Sequence, residues 1–225
     1  MIGSEALVRW EHPERGLLGP DTFLDLAEEH GLAAQIDARV LDEAVDQLAR
    51  WDAAGLSPVF VSVNLGRSSM LDPALAGRVR AALARSTVCP DRLHLEITEH
   101  AELPAGAEAL RSLAAQGVRV SLDDFGVGYT SLDYVRRYPV TTLKLDRSMT
   151  EPLQHEHTSA LLSGVVLLAG QLGIEVLAEG IETQVQKQRL TGLGIRSGQG
   201  YLFARPLPAD DFAAFVAARS AVLAT

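Results

Sequence analysis

Two adjacent carboxylates, Asp123 and Asp124, stand between an apolar run and a glycine-rich loop in the segment 120–129 (VSLDDFGVGY). Neighbouring acids repel each other and aspartate is depleted in β-strands, so this pair is an unfavourable way to end a strand. A divalent cation would relieve the repulsion, because carboxylate oxygens are preferred ligands of hard cations. An isolated Asp-Asp pair is more commonly a solvated turn. A metal site at this point therefore requires other segments to bring further ligands to it.

Further polar side chains stand at or just after the other strand-like runs of the chain. They are Glu5, Arg9, Asn64, Glu96, Glu99, Lys144, Asp146, Glu179, Glu182 and Gln199. Taken singly, each has a simpler explanation: a strand-end asparagine is usually a cap or turn residue, and Lys144 with Asp146 would be a weak surface ion pair. Independent solvated acids would not follow successive strand ends, so the set as a whole indicates a site. Its oxygen donors suit Mg²⁺ or Mn²⁺ rather than Zn²⁺.

These side chains must be positioned by alternating strands and helices. Apolar and β-branched runs predict strands over 6–10, 58–65, 93–97, 118–122, 141–145, 174–178 and 195–200. Helical stripes, caps and stops predict helices over 21–30, 36–48, 73–85, 105–116, 131–137, 157–172, 183–190 and 210–218. The stretch 11–20, with two prolines and two glycines, is predicted to form turns.

The alternation of strands and helices predicts an α/β fold with a parallel sheet joined by right-handed crossovers. The seven strand candidates are one short of the eight that a closed (β/α)8 barrel requires. In such a barrel the carboxyl ends of the strands share one face, and active sites lie on that face. An open doubly wound sheet is the alternative, although no Gly-x-Gly-x-x-Gly motif follows an early strand.

The composition narrows the class of protein. The chain has 225 residues, of which 47% are hydrophobic, and a formal net charge of −9. This length fits one domain with a sizeable core, and the charge argues against a nucleic acid polymer as partner. The single cysteine, Cys89, excludes an internal disulfide and is typical of a reducing compartment. No apolar run is long enough to span a bilayer and no signal peptide is visible, so we expect a cytoplasmic protein.

Seven short motifs resemble, in the same order, those of the EAL domain family of bacterial cyclic di-GMP phosphodiesterases. They are 5–10 (EALVRW), 62–65 (SVNL), 95–99 (LEITE), 123–132 (DDFGVGYTSL), 143–148 (LKLDRS), 178–183 (AEGIET) and 199–206 (QGYLFARP). The resemblance covers the whole chain, and the motifs are highly specific when they occur together. It implies that the chain folds as a modified TIM barrel.

The resemblance also implies a role for each candidate residue. A first metal would be held by Glu5, Asn64, Glu96 and Asp123, and a second by Asp123, Asp124 and Glu179, with Asp146 and Glu182 close by. Lys144 would hold the attacking water, Arg9 would meet a substrate phosphate, Gln199 would lie in the site, and Glu99 would hold the loop after Asp124. Two Mg²⁺ or Mn²⁺ ions would activate the water, with Glu179 as the alternative general base. The product would be linear pGpG.

The chain departs from the family pattern mainly at its beginning. Family members usually carry a helix and a strand containing Tyr-Gln-Pro-Ile before the Glu-Ala-Leu signature, and this chain begins too late to include them. We therefore expect a single domain over 1–225, a TIM-like barrel that lacks the family's first, antiparallel strand. Smaller departures include Gly66 and Thr130 where serine is common, and none removes a metal ligand.

The resemblance finally implies partners and an alternative function. A homodimer is expected, as is a fused or separate sensory or GGDEF domain. Cyclic di-GMP hydrolysis is the leading hypothesis, because degenerate family members typically lose ligands and none is missing here. The alternative is a catalytically silent cyclic di-GMP receptor that signals through a protein partner, which the missing first strand would favour. The intact ligand set argues against a pure protein-interaction module.

Overall fold

The computed structural model describes residues 2–56, 59–98, 104–127, 133–151 and 156–223 of the chain. Its strands are β1 Ile2–Ala6, β2 Trp10–His12, β3 Gly16–Leu18, β4 Val59–Leu65, β5 Leu93–Thr98, β6 Arg119–Phe125, β7 Thr142–Leu145, β8 Glu175–Ala178 and β9 Ser197–Gly198. Its helices are α1 Leu24–Glu29, α2 Ala33–Ala53, α3 Arg67–Leu71, α4 Leu75–Ala84, α5 Pro104–Ala114, α6 Asp133–Arg137, α7 Arg147–Thr150, α8 Glu156–Gln171, α9 Gln184–Gly192 and α10 Ala209–Leu223. In the part of the chain that is described, no helix is long and apolar enough to cross a membrane.

Seven of the described strands form one sheet, in the order β1-β4-β5-β6-β7-β8-β9. The pairs β1–β4, β6–β7, β7–β8 and β8–β9 are all parallel. Neighbouring strands follow one another in chain order, and helices lie between them in the sequence. The predicted α/β class with seven sheet strands is therefore confirmed.

The beginning of the chain differs from the predicted pattern. The first sheet strand, β1, ends at Ala6, where the predicted strand 6–10 begins. The segment predicted as turns instead contains an antiparallel hairpin, in which β2 pairs with β3. The imidazole Nδ1 of His12 accepts hydrogen bonds from the backbone N–H groups of Glu14 and Arg15, at 3.1 and 3.2 Å, and closes the turn. The turn within this segment is therefore stabilised by the side chain of His12, whereas the turn prediction relied on glycine and proline only.

The chain divides into two compact units. The first unit holds residues 1–96, 100–119 and 206–225, and the second holds 97–99 and 120–205. Strand β5 contributes to both, because the division falls between Glu96 and Ile97. The single domain over 1–225 stays a prediction.

The first unit is built on the parallel pair β1–β4, in which Glu5 is the register partner of Ser62. Helix α2 packs on β4 through a stripe that includes the buried Leu41, Val45 and Leu48. The helix predicted over 36–48 is therefore present, although it begins at Ala33 and continues to Ala53. Burial of this apolar face is the main stabilising contribution to the pairing of helix and strand.

The second unit carries the four parallel strands β6 to β9, and β6 contains an irregularity at the two acids. Leu122 pairs with Leu143 and Phe125 with Leu145, so Asp123 and Asp124 together stand opposite the single residue Lys144. This two-against-one arrangement is a β-bulge, which bends a strand and re-aims its side chains. Strand β6 therefore continues to Phe125, three residues beyond the predicted end at Leu122. The predicted strand ends too soon because aspartate has a poor strand propensity, and propensity takes no account of a bulge.

Candidate functional site

The first unit joins Glu5 of β1 to Asn64 of β4 by a direct hydrogen bond. The side-chain amide Nδ2 of Asn64 donates to Oε1 of Glu5 over 2.8 Å. The parallel pairing of the two strands explains the contact, because Glu5 lies opposite Ser62 and Asn64 follows two residues later on the same side of β4. Only the amide oxygen of Asn64 could ligate a cation, since an amide nitrogen has no available lone pair.

Glu96 of β5 provides a second carboxylate close to Glu5. Its side chain is buried, with 2% of its surface exposed. One carboxylate oxygen of Glu96 lies within 4.8 Å of one from Glu5. Two carboxylates this close repel each other, and burial makes the repulsion stronger. The chain thus contains an acidic cluster that could hold a metal ion, with the oxygen ligands that Mg²⁺ and Mn²⁺ prefer.

The second unit places a buried lysine between two acids. Lys144 of β7 is 1% exposed, and its ammonium Nζ lies 3.0 Å from Oδ2 of Asp123 and 2.9 Å from Oε1 of Glu179. A lysine is almost never fully buried unless it is paired, because its charge must leave water. These two ion pairs supply the pairing, and they fix the ammonium between the ends of β6 and β8.

Glu179 is held at its carboxylate and at its backbone. It directly follows β8, and Nε2 of Gln199, which directly follows β9, donates to its Oε1 over 2.7 Å. The hydroxyl of Thr150, at the end of α7, donates to the backbone carbonyl of Glu179 over 2.7 Å. Thr150 is 1% exposed and had no place among the sequence candidates. Nothing in the sequence marks it, since a threonine in a short helix has no distinguishing pattern.

The two adjacent acids of β6 lie in different environments. Asp123 is 9% exposed, and its two carboxylate oxygens accept from Lys144 Nζ and from the backbone N–H of Asp124, the latter at 2.9 Å. Asp124 is exposed, and its φ of 55° is in the left-handed region. Aspartate is one of the few residues other than glycine that visits this region with some frequency. The bulge therefore separates a buried acid from an exposed one.

Asp146 and Glu182 have partners that belong to the local structure. Asp146 caps α7, and its Oδ1 accepts from the backbone N–H of Ser148 over 2.8 Å. Burial alone would raise the pKa of Asp146, but hydrogen bonds from Ser148 and Arg147 and the charge of Arg147 hold that pKa below its ordinary value. Glu182 pairs through Oε1 with Nη1 of Arg147 at 3.0 Å. Their placement beside a second metal stays a prediction.

The remaining candidates are Arg9 and Glu99. Arg9 is exposed after β1, and its Nη1 donates to the backbone carbonyl of Val8 over 2.8 Å. Its role at a substrate phosphate stays a prediction. Glu99 and the part 128–132 of the glycine-rich loop lie outside the described residues. The role of Glu99 in holding that loop is therefore also a prediction.

Comparisons with known proteins all identify the same family. Residues 1–206 match the model of the EAL domain family. The bifunctional diguanylate cyclase/cyclic di-GMP phosphodiesterase MucR of Pseudomonas aeruginosa is 43% identical over 221 residues, which are 96% of this chain and 32% of MucR. The cyclic di-GMP phosphodiesterase NbdA of the same organism is 40% identical over 208 residues, which are 91% of this chain and 27% of NbdA. The chain thus spans under a third of the length of either relative.

The solved structures support the fold. The structure of the P. aeruginosa MucR phosphodiesterase in complex with c-di-GMP has a TM-score of 0.87 and 43% sequence identity, and the match covers 94% of this chain and 87% of that one. An EAL domain protein of Listeria monocytogenes has a TM-score of 0.85 at 29% identity, with 94% and 84% covered. These similarities, with the mostly parallel seven-stranded sheet, confirm the predicted TIM-like fold class.

Proposed function

Because the chain belongs to the EAL domain family, we propose that it hydrolyses cyclic di-GMP to linear pGpG with a metal-activated water. The observation that carries the proposal is the acidic cluster of Glu5 and Glu96, whose carboxylates lie within 4.8 Å of each other beside the amide of Asn64. The names of MucR and NbdA, both cyclic di-GMP phosphodiesterases, support the choice of substrate. Family members that have lost catalysis typically lack ligands, and each ligand position that the resemblance implies carries a suitable residue in this sequence.

Family membership supports a proposed set of metal ligands. A first Mg²⁺ or Mn²⁺ would be held by Glu5, Asn64, Glu96 and Asp123, and a second by Asp123, Asp124 and Glu179, with Asp146 and Glu182 nearby. When bound, the ions supply a water of lowered pKa and neutralise the charge that develops on the phosphate. The oxygen-only donor set supports hard cations over zinc.

Lys144 orients the attacking water or shuttles its proton, and the shuttle requires the ammonium to release a proton first, because only the neutral amine can accept one. The ammonium is well placed for this role because Asp123 and Glu179 hold it in one position at 3.0 and 2.9 Å. A reacting group that is positioned before the substrate arrives does not have to be ordered during the reaction. Glu179 is the alternative base, and the hydrogen bond from Gln199 holds its carboxylate in one orientation.

Arg9 binds a phosphate of the substrate. A guanidinium forms two parallel hydrogen bonds with phosphate oxygens, and the exposed position of Arg9 leaves it accessible to a ligand. The homodimer and the fused or separate sensory or GGDEF domain also remain proposals. MucR, whose name combines a diguanylate cyclase with a phosphodiesterase, supports the second of these.

One assay tests the proposal. The purified chain is incubated with cyclic di-GMP and either Mg²⁺ or Mn²⁺, and pGpG is followed by chromatography, with a chelator-treated sample as control. Metal-dependent formation of pGpG is the expected result. Saturable binding without turnover would show that the chain is a receptor instead, and the absence of any binding would contradict both functions.

A further inference from the structure

The turn that follows β4 is tied to two neighbouring helices by acids outside the proposed ligand set. Oδ2 of Asp37, on α2, accepts hydrogen bonds from the backbone N–H of Gly66 at 2.8 Å and from the hydroxyl of Ser69 at 2.6 Å. Oε1 of Glu28, on α1, accepts from the hydroxyl of Ser68 at 2.6 Å. All three donors belong to the first turn of α3 and its cap.

Asp37 holds the beginning of α3 from another helix, at a position where the chain has no side-chain cap. Gly66 is the N-cap of α3, and no side-chain cap bond is formed there because glycine has no side chain. Asp37 instead receives the hydrogen bonds of the cap backbone and of Ser69 from another helix. A Cβ at Gly66 would lie 3.3 Å from Oδ2 of Asp37, so this carboxylate is in close contact with the turn. The backbone two residues beyond Asn64 is thereby fixed.

Helix α2 also holds the opposite end of β4. Near its C-terminus, Asp52 forms an ion pair with the buried Arg92, and Nε of Arg92 donates to the backbone carbonyl of Val59 over 2.5 Å. The same helix thus holds the first residue of β4 through Asp52 and the residue after its last through Asp37. The Asp37 contact lies two residues from Asn64, whereas the contact through Asp52 and Arg92 lies at Val59, the far end of β4. Asp52 is therefore a matched control.

We propose that Asp37 is a positioning residue for Asn64: by fixing the turn between β4 and α3, it sets the orientation in which the Asn64 amide meets Glu5 and a bound cation. The effect of that orientation on cation binding rests on the proposed function. The orientation toward Glu5 does not, because the hydrogen bond between Asn64 and Glu5 is formed by the chain itself.

The physical basis is that Gly66, which Asp37 holds by a hydrogen bond, follows Asn64 by only two residues. A displacement of the turn by a fraction of an ångström moves the Asn64 side chain by a similar amount, and metal affinity is sensitive to such shifts. Burial is the largest influence on the pKa of the Asp37 carboxyl and raises it, against the opposing hydrogen bonds from Ser69 and Gly66. Asparagine at this position would keep an acceptor oxygen without that cost of burying a charge.

The experiment compares Asp37→Ala, Asp37→Asn and the control Asp52→Asn in the full chain. Mn²⁺ binding is measured by calorimetry without substrate, the Mn²⁺ dependence of turnover is measured with cyclic di-GMP, and Tm is recorded for each variant. Asp37→Ala should weaken Mn²⁺ binding by roughly tenfold, the scale seen when groups that orient metal ligands are removed. Asp37→Asn should bind nearly as the wild type does. Asp52→Asn should lower Tm without changing the Mn²⁺ requirement.

A second readout does not depend on metal. In the metal-free protein, the side-chain NH₂ resonances of Asn64 should shift in Asp37→Ala and keep their wild-type positions in Asp52→Asn. Should Asp37→Ala fail to fold, Ser69→Ala removes one of the two donors to Asp37 and should shift the same resonances by a smaller amount. Equal effects of Asp37→Ala and Asp52→Asn, or unchanged Asn64 resonances, would overturn the proposal. Failure of the proposed function would show instead in the wild type, as absent metal binding and turnover.

Discussion

The two units of the chain stabilise their acids in different ways. In the first unit the carboxylate of Glu5 accepts from a neutral amide and lies within 4.8 Å of a second, buried carboxylate. In the second unit the carboxylates of Asp123 and Glu179 both meet the buried ammonium of Lys144. An amide orients a carboxylate without neutralising its charge, whereas an ammonium orients the carboxylate and also neutralises its charge.

This difference suggests different roles for the acids of the two units. In the proposed function, Glu5 and Glu96 of the first unit would serve as metal ligands. Asp123 and Glu179 of the second unit would serve as ligands in the same proposal, and they also hold the ammonium of Lys144 in place. The acids of the two units are therefore not interchangeable, and substitutions in them should have different consequences.

The largest effect is expected from loss of a metal ligand. Glu5 belongs to the first unit, and Asp123 is the proposed shared ligand. Glu5→Ala and Asp123→Ala should each abolish metal-dependent formation of pGpG, because the remaining oxygens would bind the ions too weakly. Turnover measured over a range of Mn²⁺ concentrations checks this. Near-full activity of either variant would contradict the two-metal proposal. Asp52→Asn is the control for a general loss of stability.

A smaller effect is expected when Thr150 loses its hydroxyl. Thr150→Val keeps the shape of the side chain but removes the donor to the Glu179 carbonyl, which costs about 1–3 kcal/mol when the acceptor stays buried. Thr150→Ser keeps the donor and should retain both the orientation of Glu179 and most of the turnover. Urea denaturation and kcat measurements on the two variants check the prediction. If valine and serine behaved alike, the hydroxyl would have no positioning role.

The smallest effect is expected at Asp146. Asp146→Ala removes the N-cap of α7, which costs about 1 kcal/mol, measured in metal-free protein. The folded-state pKa of Asp146 is lowered from 3.8, so its stabilising contribution is present above pH 3.8 and is lost as the pH falls through the lower folded value. The stability difference between wild type and variant should shrink over that range. A difference that did not change with pH would mean that the charge of the cap is irrelevant.

Much of the fold and of the candidate site could be predicted from the sequence. The apolar runs around Asn64, Glu96 and Lys144 predict that these residues lie near strand ends, and all three lie on sheet strands. The bulge at Asp123 was missed because it depends on the register with β7 rather than on local composition. Asp37 and Thr150 cannot be predicted for a similar reason. The partners of Asp37 are 29 and 32 residues away and Glu179 is 29 residues from Thr150, so no local pattern connects them.

The central claim is that Lys144 acts on the water while the acids hold the metal. Lys144→Met tests it most directly, with Mn²⁺ binding by calorimetry and pGpG formation measured on the same sample. Turnover should fall by roughly 10²–10⁴-fold, the usual contribution of a group that transfers protons, while Mn²⁺ still binds. Turnover close to that of the wild type with Mn²⁺ bound would contradict the claim.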